Sequence, residues 1–177
     1  MINIAQLRIG NFCYANKKSG ESDFSNALGR LSALDKIRAQ VRRRDKIIYQ
    51  VASINRTDTI ELSNSFNEDI LTIQTEEIYP IELNPDILHN CGFKEKTFTS
   101  KDWNEKYLTI EGDIPIRVSE FVQHSHYPIY VFDKQTQSNT FLRNINYLHQ
   151  LQNLYFELTG RNLKVDISFM KESPILR

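Results

Sequence analysis

Apolar positions recur at helical spacing near the end of the chain, in the stretch RNINYLHQLQNLYFELTG from Arg143 to Gly160. Tyr147, Leu151, Leu154 and Leu158 follow at intervals of four, three and four, and Leu148 and Tyr155 widen the same stripe. The spacing predicts a core helix over residues 144–159. Asn144 or Asn146 would cap its start, and Gly160 would end it in the left-handed conformation. A helix this short is marginal alone in water, so the remaining chain has to cover its stripe.

Elsewhere the pattern is mostly that of strands. IAQLRIGNFCY, residues 4–14, reads as a strand entry with a bend or bulge at Gly10-Asn11. A polar loop, NKKSGES, follows, and then Phe24, Leu28, Leu31, Leu34 and Val41 keep roughly helical spacing behind a cap at Ser22 or Asp23. KIIYQVASI, residues 46–54, is branched and aromatic and predicts a strand. Asn55 to Asp58 forms a turn into TIEL, and another strand follows at Ile70 to Ile73. These strands suggest a small, strongly bent antiparallel sheet or an SH3-like barrel.

Asn84-Pro85 starts a short helix, Pro85 to Asn90, that Gly92 stops. Beyond it a meander is predicted: Phe93 to Phe98, Lys106 to Ile110, Ile114 to Val118 and Pro128 to Asp133, with Glu111-Gly112-Asp113 as a hairpin turn. Lys134 to Thr140 reads as a polar loop into the core helix. The alternation of Leu163, Val165, Ile167 and Phe169 predicts a final strand before the tail.

The expected fold class is therefore α+β. Antiparallel sheet packs on one long C-terminal helix, in a lobe over residues 84–177. A small β-rich, SH3-like N-terminal lobe, residues 1–83, carries a helical insertion at about 20–46.

Composition narrows the function classes. Of 177 residues 40% are hydrophobic and 11% aromatic, which is enough to fold. No apolar run is long enough to cross a bilayer and Met1 to Ile9 lacks a signal-peptide pattern, so the expected location is the cytoplasm. Cys13 and Cys91 stand in no metal-ligand spacing and are expected reduced and buried.

Net charge is zero, with 22 Lys plus Arg against 22 Asp plus Glu, yet the charges are segregated. Arg30 to Lys46 holds seven basic and two acidic residues, and Thr57 to Asp86 holds eight acidic and no basic ones. Such blocks, more than net charge, select partners.

LRIGNFCY near the start, IYPIELNPDILHNCGF in the middle and YLHQLQNLYFELTGRNL near the end resemble a group of small proteins of Bacteroidetes and their phages and prophages. His149 to Gly160 matches the group's closing H-Q-L-Q-N-L-Y-F-x-L-T-G pattern; the three blocks cover roughly a third of the chain. The residues around Gly20 to Lys46, with the basic cluster, are additional to that pattern. The resemblance implies no catalytic residue. It implies a genomic context in which small phage-borne proteins inhibit host machinery, anti-CRISPR and other counter-defence factors among them.

Several residues suggest chemistry. His124 and His126 would share one face of a strand, with Glu120 or Asp133 completing a metal site, but two histidines without a third firm ligand fit a surface loop before Tyr127-Pro128 better than a metal site. His89 and Cys91 flank a helix end and point in different directions, which favours structure over a thiol–base pair. His149 and Gln150 suit hydrogen-bonded packing on the core helix as well as a site. No nucleophile elbow, phosphate-cradling glycine loop or HExxH is present.

The basic cluster is the main candidate. Arg38, Arg42, Arg43 and Arg44 would lie within about two turns of a helix, and the planar guanidinium suits phosphate. Lys46 extends the patch, and Tyr49 or Phe24 would stack on a base. A solvated helix face, or pairing with the chain's own acidic stretch, are the plain alternatives.

The function expected from the sequence is a non-enzymatic phage- or prophage-type binding protein without cofactor or metal. It would inhibit a host nucleic-acid-handling defence complex of CRISPR-effector type, a protein or ribonucleoprotein, in the host cytoplasm, through arginines contacting RNA or the effector. The alternative is a protein that sequesters a nucleotide between sheet and core helix, lined by His149, Tyr155 and Trp103. The sequence fixes neither the partner nor the oligomeric state.

Overall fold

The computed structural model describes residues 2–16, 46–55, 59–64, 70–74, 77–99, 104–119 and 126–168. It has mixed α and β character, with two antiparallel five-stranded sheets and two α-helices among the described residues. The chain forms two compact units, one ending at Pro80 and the next beginning at Ile81. No described helix is long and apolar enough to cross a membrane.

The first unit opens with a 3-10 turn, Ile4–Gln6, where the Asn3 side chain accepts from the Ala5 amide at 3.0 Å. Its strands are β1 (Phe12–Asn16), β2 (Lys46–Ile54), β3 (Thr59–Ser63), β4 (Ile70–Gln74) and β5 (Ile78–Tyr79), in the order β4-β3-β2-β1-β5. The strand expected from residue 4 begins only at Phe12, because Arg8 to Asn11 make a tight turn. Gly10 sits at φ +92°, a conformation that favours glycine, and the Asn11 side chain accepts from the Arg8 amide at 2.8 Å. Period-two alternation then collects Cys13, Ala15, Tyr49, Val51, Ile60, Leu62, Ile73 and Ile78 in one buried cluster.

In the second unit, α1 (Pro85–Asn90) starts as its sequence predicts. The Asn84 side chain accepts from the Ile87 amide at 2.8 Å, and Pro85 occupies the first turn, where its missing N–H costs nothing. A plain meander follows: β6 (Lys94–Thr99), β7 (Asn104–Ile110), β8 (Ile116–Ser119), β9 (Tyr127–Asp133) and β10 (Ser138–Ile145), each paired with the next. The chain then enters α2 (Leu148–Thr159).

Two expectations are corrected here. Lys134 to Thr140 is no loop into the helix. Lys134 to Gln137 turns the chain and β10 then runs antiparallel to β9, from Ser138 opposite Asp133 to Ile145 opposite Tyr127. The core helix consequently starts later than Asn144. Neither Asn144 nor Asn146 caps it; the Gln150 Oε1 reaches back to accept the amides of Asn146 at 3.0 Å and Tyr147 at 3.3 Å. Its end is as expected, with Gly160 at φ +68° and its amide on the Phe156 carbonyl.

No strand forms over the described residues 163–168. Leu163 and Ile167 are buried, and the Asp166 amide donates to the Asn90 carbonyl at 3.0 Å, an anchor to the end of α1. The helix expected around Phe24 to Val41 lies outside the described residues.

The buried apolar surface of the second unit includes Ile87, Leu88 and Phe93 in and after α1, Leu108, Ile116, Val118, Ile129 and Ile145 on the sheet, and Leu148, Leu151 and Leu154 on α2. Glu157 on α2 pairs with Arg143 on β10, both in contact with solvent. Leu151→Ala should therefore lower the unfolding free energy by about 2–5 kcal/mol, as for a buried leucine. Glu157→Ala should cost no more than about 1 kcal/mol, since exposed ion pairs contribute little. Urea unfolding of both variants checks the ranking.

Candidate functional site

Some of the residues singled out in the sequence lie within the described parts of the chain and others do not. Arg38, Arg42, Arg43 and Arg44 lie outside the described residues, and so do Phe24, Trp103, Glu120 and His124. Lys46 is the first residue of β2, opposite Asn16. Tyr49 is 3% exposed and belongs to the apolar cluster of the first unit. A ring so covered offers no face to a base, because residue 49 falls on the inward side of β2.

His126 is exposed, with its Nδ1 hydrogen-bonded to Asn146 Oδ1. The Asp133 carboxylate is occupied at its own turn, accepting the Gln135 amide at 2.8 Å, which holds its pKa low. Among the described residues no three His, Cys, Asp or Glu side chains gather as metal ligands. His89 Nδ1 lies 3.1 Å from the Phe93 carbonyl. Burial pushes the thiols of Cys13 and Cys91 up to about 12, so neither is a thiolate at neutral pH.

What the sheet register does bring together is a row across all five strands of the second unit. Lys94 on β6 faces Thr109 on β7, Thr109 faces Arg117 on β8, Arg117 faces Tyr130 on β9, and Tyr130 faces Phe141 on β10. Cross-strand partners share a face of the sheet. Period two adds Tyr107, Phe132 and Asn139 to it and sends Leu108, Ile116, Val118 and Ile129 to the other face.

The polar face is curled. Tyr107 and Asn139 are separated by two intervening strands and, by the register, four residues along the strand direction, roughly 20 Å on a flat sheet. Yet the Asn139 Nδ2 donates to the Tyr107 hydroxyl at 3.4 Å. The face is thus the inside of a trough, with a buried floor of Tyr107, Thr109 and Arg117, half-buried walls of Tyr130 and Phe132, and exposed rims at Lys94 and Phe141.

Arg117 occupies the middle of the floor and is only 4% exposed. Its guanidinium lies 3.4 Å from the Phe132 ring centroid and 5.8 Å from that of Tyr107, and it donates to Asn139 Oδ1 at 2.9 Å. Burial lowers its pKa, and the nearby Glu111 carboxylate, itself paired with Lys96, partly offsets this. Tyr130 meets Tyr107 and Phe141 edge to face at 6.1 and 5.7 Å. Phe141 is 53% exposed. Thr109 is buried on the floor, and its Oγ1 has no hydrogen-bond partner.

These residues escaped the reading of the sequence because they stand far apart in it. The available signal was an aromatic with a polar residue at spacing two in Tyr107-x-Thr109 and two aromatics at the same spacing in Tyr130-x-Phe132.

His149, in the first turn of α2, is 1% exposed, and neither ring nitrogen has a hydrogen-bond partner. Its ring stacks on Tyr147 at 5.8 Å, and burial lowers its pKa from 6.5 to about 4. Below 6.5 the unfolded chain takes up a proton that the folded chain refuses until about pH 4. Stability should therefore fall as pH drops through that window and level off beneath it, by on the order of 3 kcal/mol. His149→Phe keeps a buried ring without the proton site. Urea midpoints at neutral and acid pH should separate for the wild type more than for this variant.

No protein-family model, curated protein or solved structure matches this chain.

Proposed function

We propose that this chain is a non-enzymatic binding protein of the phage or prophage counter-defence kind, whose target is a host nucleic-acid-handling complex such as a CRISPR effector. The observation that carries the reading is the cross-strand row from Lys94 through Arg117 to Phe141. Rings interleaved with cations on a curled sheet face suit nucleic acid better than an apolar ligand, since bases stack on rings and phosphates attract cations.

The arginine run of Arg38, Arg42, Arg43 and Arg44, with Lys46, supplies a second contact in this reading, gripping RNA or filling a site meant for it. The reading takes the second sheet to pack on α2 and the first unit to be an SH3-like lobe carrying the basic insertion. The resemblance of His149 to Gly160 to phage-borne proteins supports the setting, the host cytoplasm.

A second reading, a protein that sequesters a nucleotide beside α2, is favoured by the two bare nitrogens of His149. It predicts a thermal shift with free nucleotides, which the first does not.

A pull-down from a Bacteroidetes host, with and without nuclease, tests the leading reading. One effector complex or its guide RNA is the expected capture. Replacing Arg38, Arg42, Arg43 and Arg44 together by Ala should lower that capture at least tenfold with the thermal midpoint intact. Undiminished capture by the variant would remove the arginines from the mechanism.

A further inference from the structure

The trough of the second unit has the features of a site for an unpaired base. We infer that it binds a single strand of nucleic acid, one base stacking on Phe141 beside Tyr130 while the backbone runs toward Lys94. This rests on the reading above in taking nucleic acid as the ligand, and deepens it by specifying strandedness and the residues that hold the strand.

Three independent observations converge. First, Phe141 is 53% exposed on an edge strand, although its neighbour Tyr130 already meets it edge to face at 5.7 Å, so one face of the ring pair remains available. Second, the Thr109 hydroxyl is buried at 2% exposure on the floor of the trough without a hydrogen-bond partner. A buried polar group left unsatisfied is costly, and a ligand that reaches the floor would complete it.

Third, charge favours phosphate. Lys94, Lys96 and Arg117 share the face with two acidic positions, Glu105, opposite Phe98, and Glu111, which is paired with Lys96, so basic positions still outnumber acidic ones. A duplex presents its bases already stacked and paired, so a ring platform selects single strands. Arg117 is a positioning residue here. Held by Phe132 and Asn139, it keeps the floor rigid and positive beneath the base.

Fluorescence anisotropy with the full chain and short labelled oligouridine, oligothymidine and duplex probes tests this. Both single strands should bind and the duplex should not. Stronger binding of oligouridine would identify RNA as the natural source, and equal binding would place recognition on base and phosphate alone.

Phe141→Ala should weaken single-strand binding by about tenfold to a hundredfold, the range for loss of one stacked base, and Phe141→Trp should retain it. Lys94→Ala should reduce the salt dependence of log affinity by about 0.7, the contribution of one phosphate contact. Thr109→Val should leave the thermal midpoint equal or higher yet weaken binding severalfold, a combination that a packing role would not produce.

Absence of single-strand binding, or binding that Phe141→Ala leaves intact, overturns the inference. If such a result accompanies capture of an effector complex that survives nuclease, the trough is not a base site and the inhibitor reading stands. Strand binding together with an empty pull-down removes the inhibitor reading alone.

Discussion

The second unit is organised around keeping a guanidinium out of bulk water. Arg117 sits on β8, the central strand of the sheet, and all four residues of that strand are buried, so both of its faces are covered. Ile116 and Val118 meet the apolar side, so Arg117 has to be satisfied on the other. Desolvating a cation is expensive unless partners replace its water. Here they are the Phe132 and Tyr107 rings, the Asn139 carbonyl oxygen and the field of Glu111. These come from β7, the turn after it, β9 and β10, so satisfying Arg117 draws the sheet inward. The curl, the aromatic lining and the positive floor then follow from one buried charge.

The same logic separates what the sequence shows from what it hides. KIIYQVASI over residues 46–54 and the helix Pro85 to Asn90 are legible to the residue, because a branched, aromatic run and an Asn-Pro start each carry their own local cause. β10 is not legible. SNTFLRNI has a polar stretch that resembles a loop and two asparagines that resemble caps, and only pairing with β9 makes it a strand. The start of α2 is hidden similarly, since Gln150, from inside the helix, accepts the amides of Asn146 and Tyr147 just before it, and the first helical amide, that of Leu148, donates to the Ile81 carbonyl. In Leu163 to Ile167 the alternation is present, but the chain is anchored through Asp166 to the end of α1 and joins no ladder.

The candidate site was less visible than the fold. A basic run stands out because its residues are adjacent, whereas Lys94, Thr109, Arg117, Tyr130 and Phe141 become neighbours only through register. A one-residue slip on any strand would send its member to the opposite face. Tyr49 shows the converse: its composition suits stacking on a base, but its parity along β2 turns it into the core.

The two sheets also differ in how far apart in sequence their partners lie. In the first, β5 returns to β1, bringing Tyr14 beside Tyr79, a distant pairing whose closure entropy must be met before its contacts form. In the second, every strand pairs with its immediate successor. Low contact order of this kind goes with fast folding. The trough can thus assemble hairpin by hairpin, early in the life of the chain and without waiting for a long-range closure.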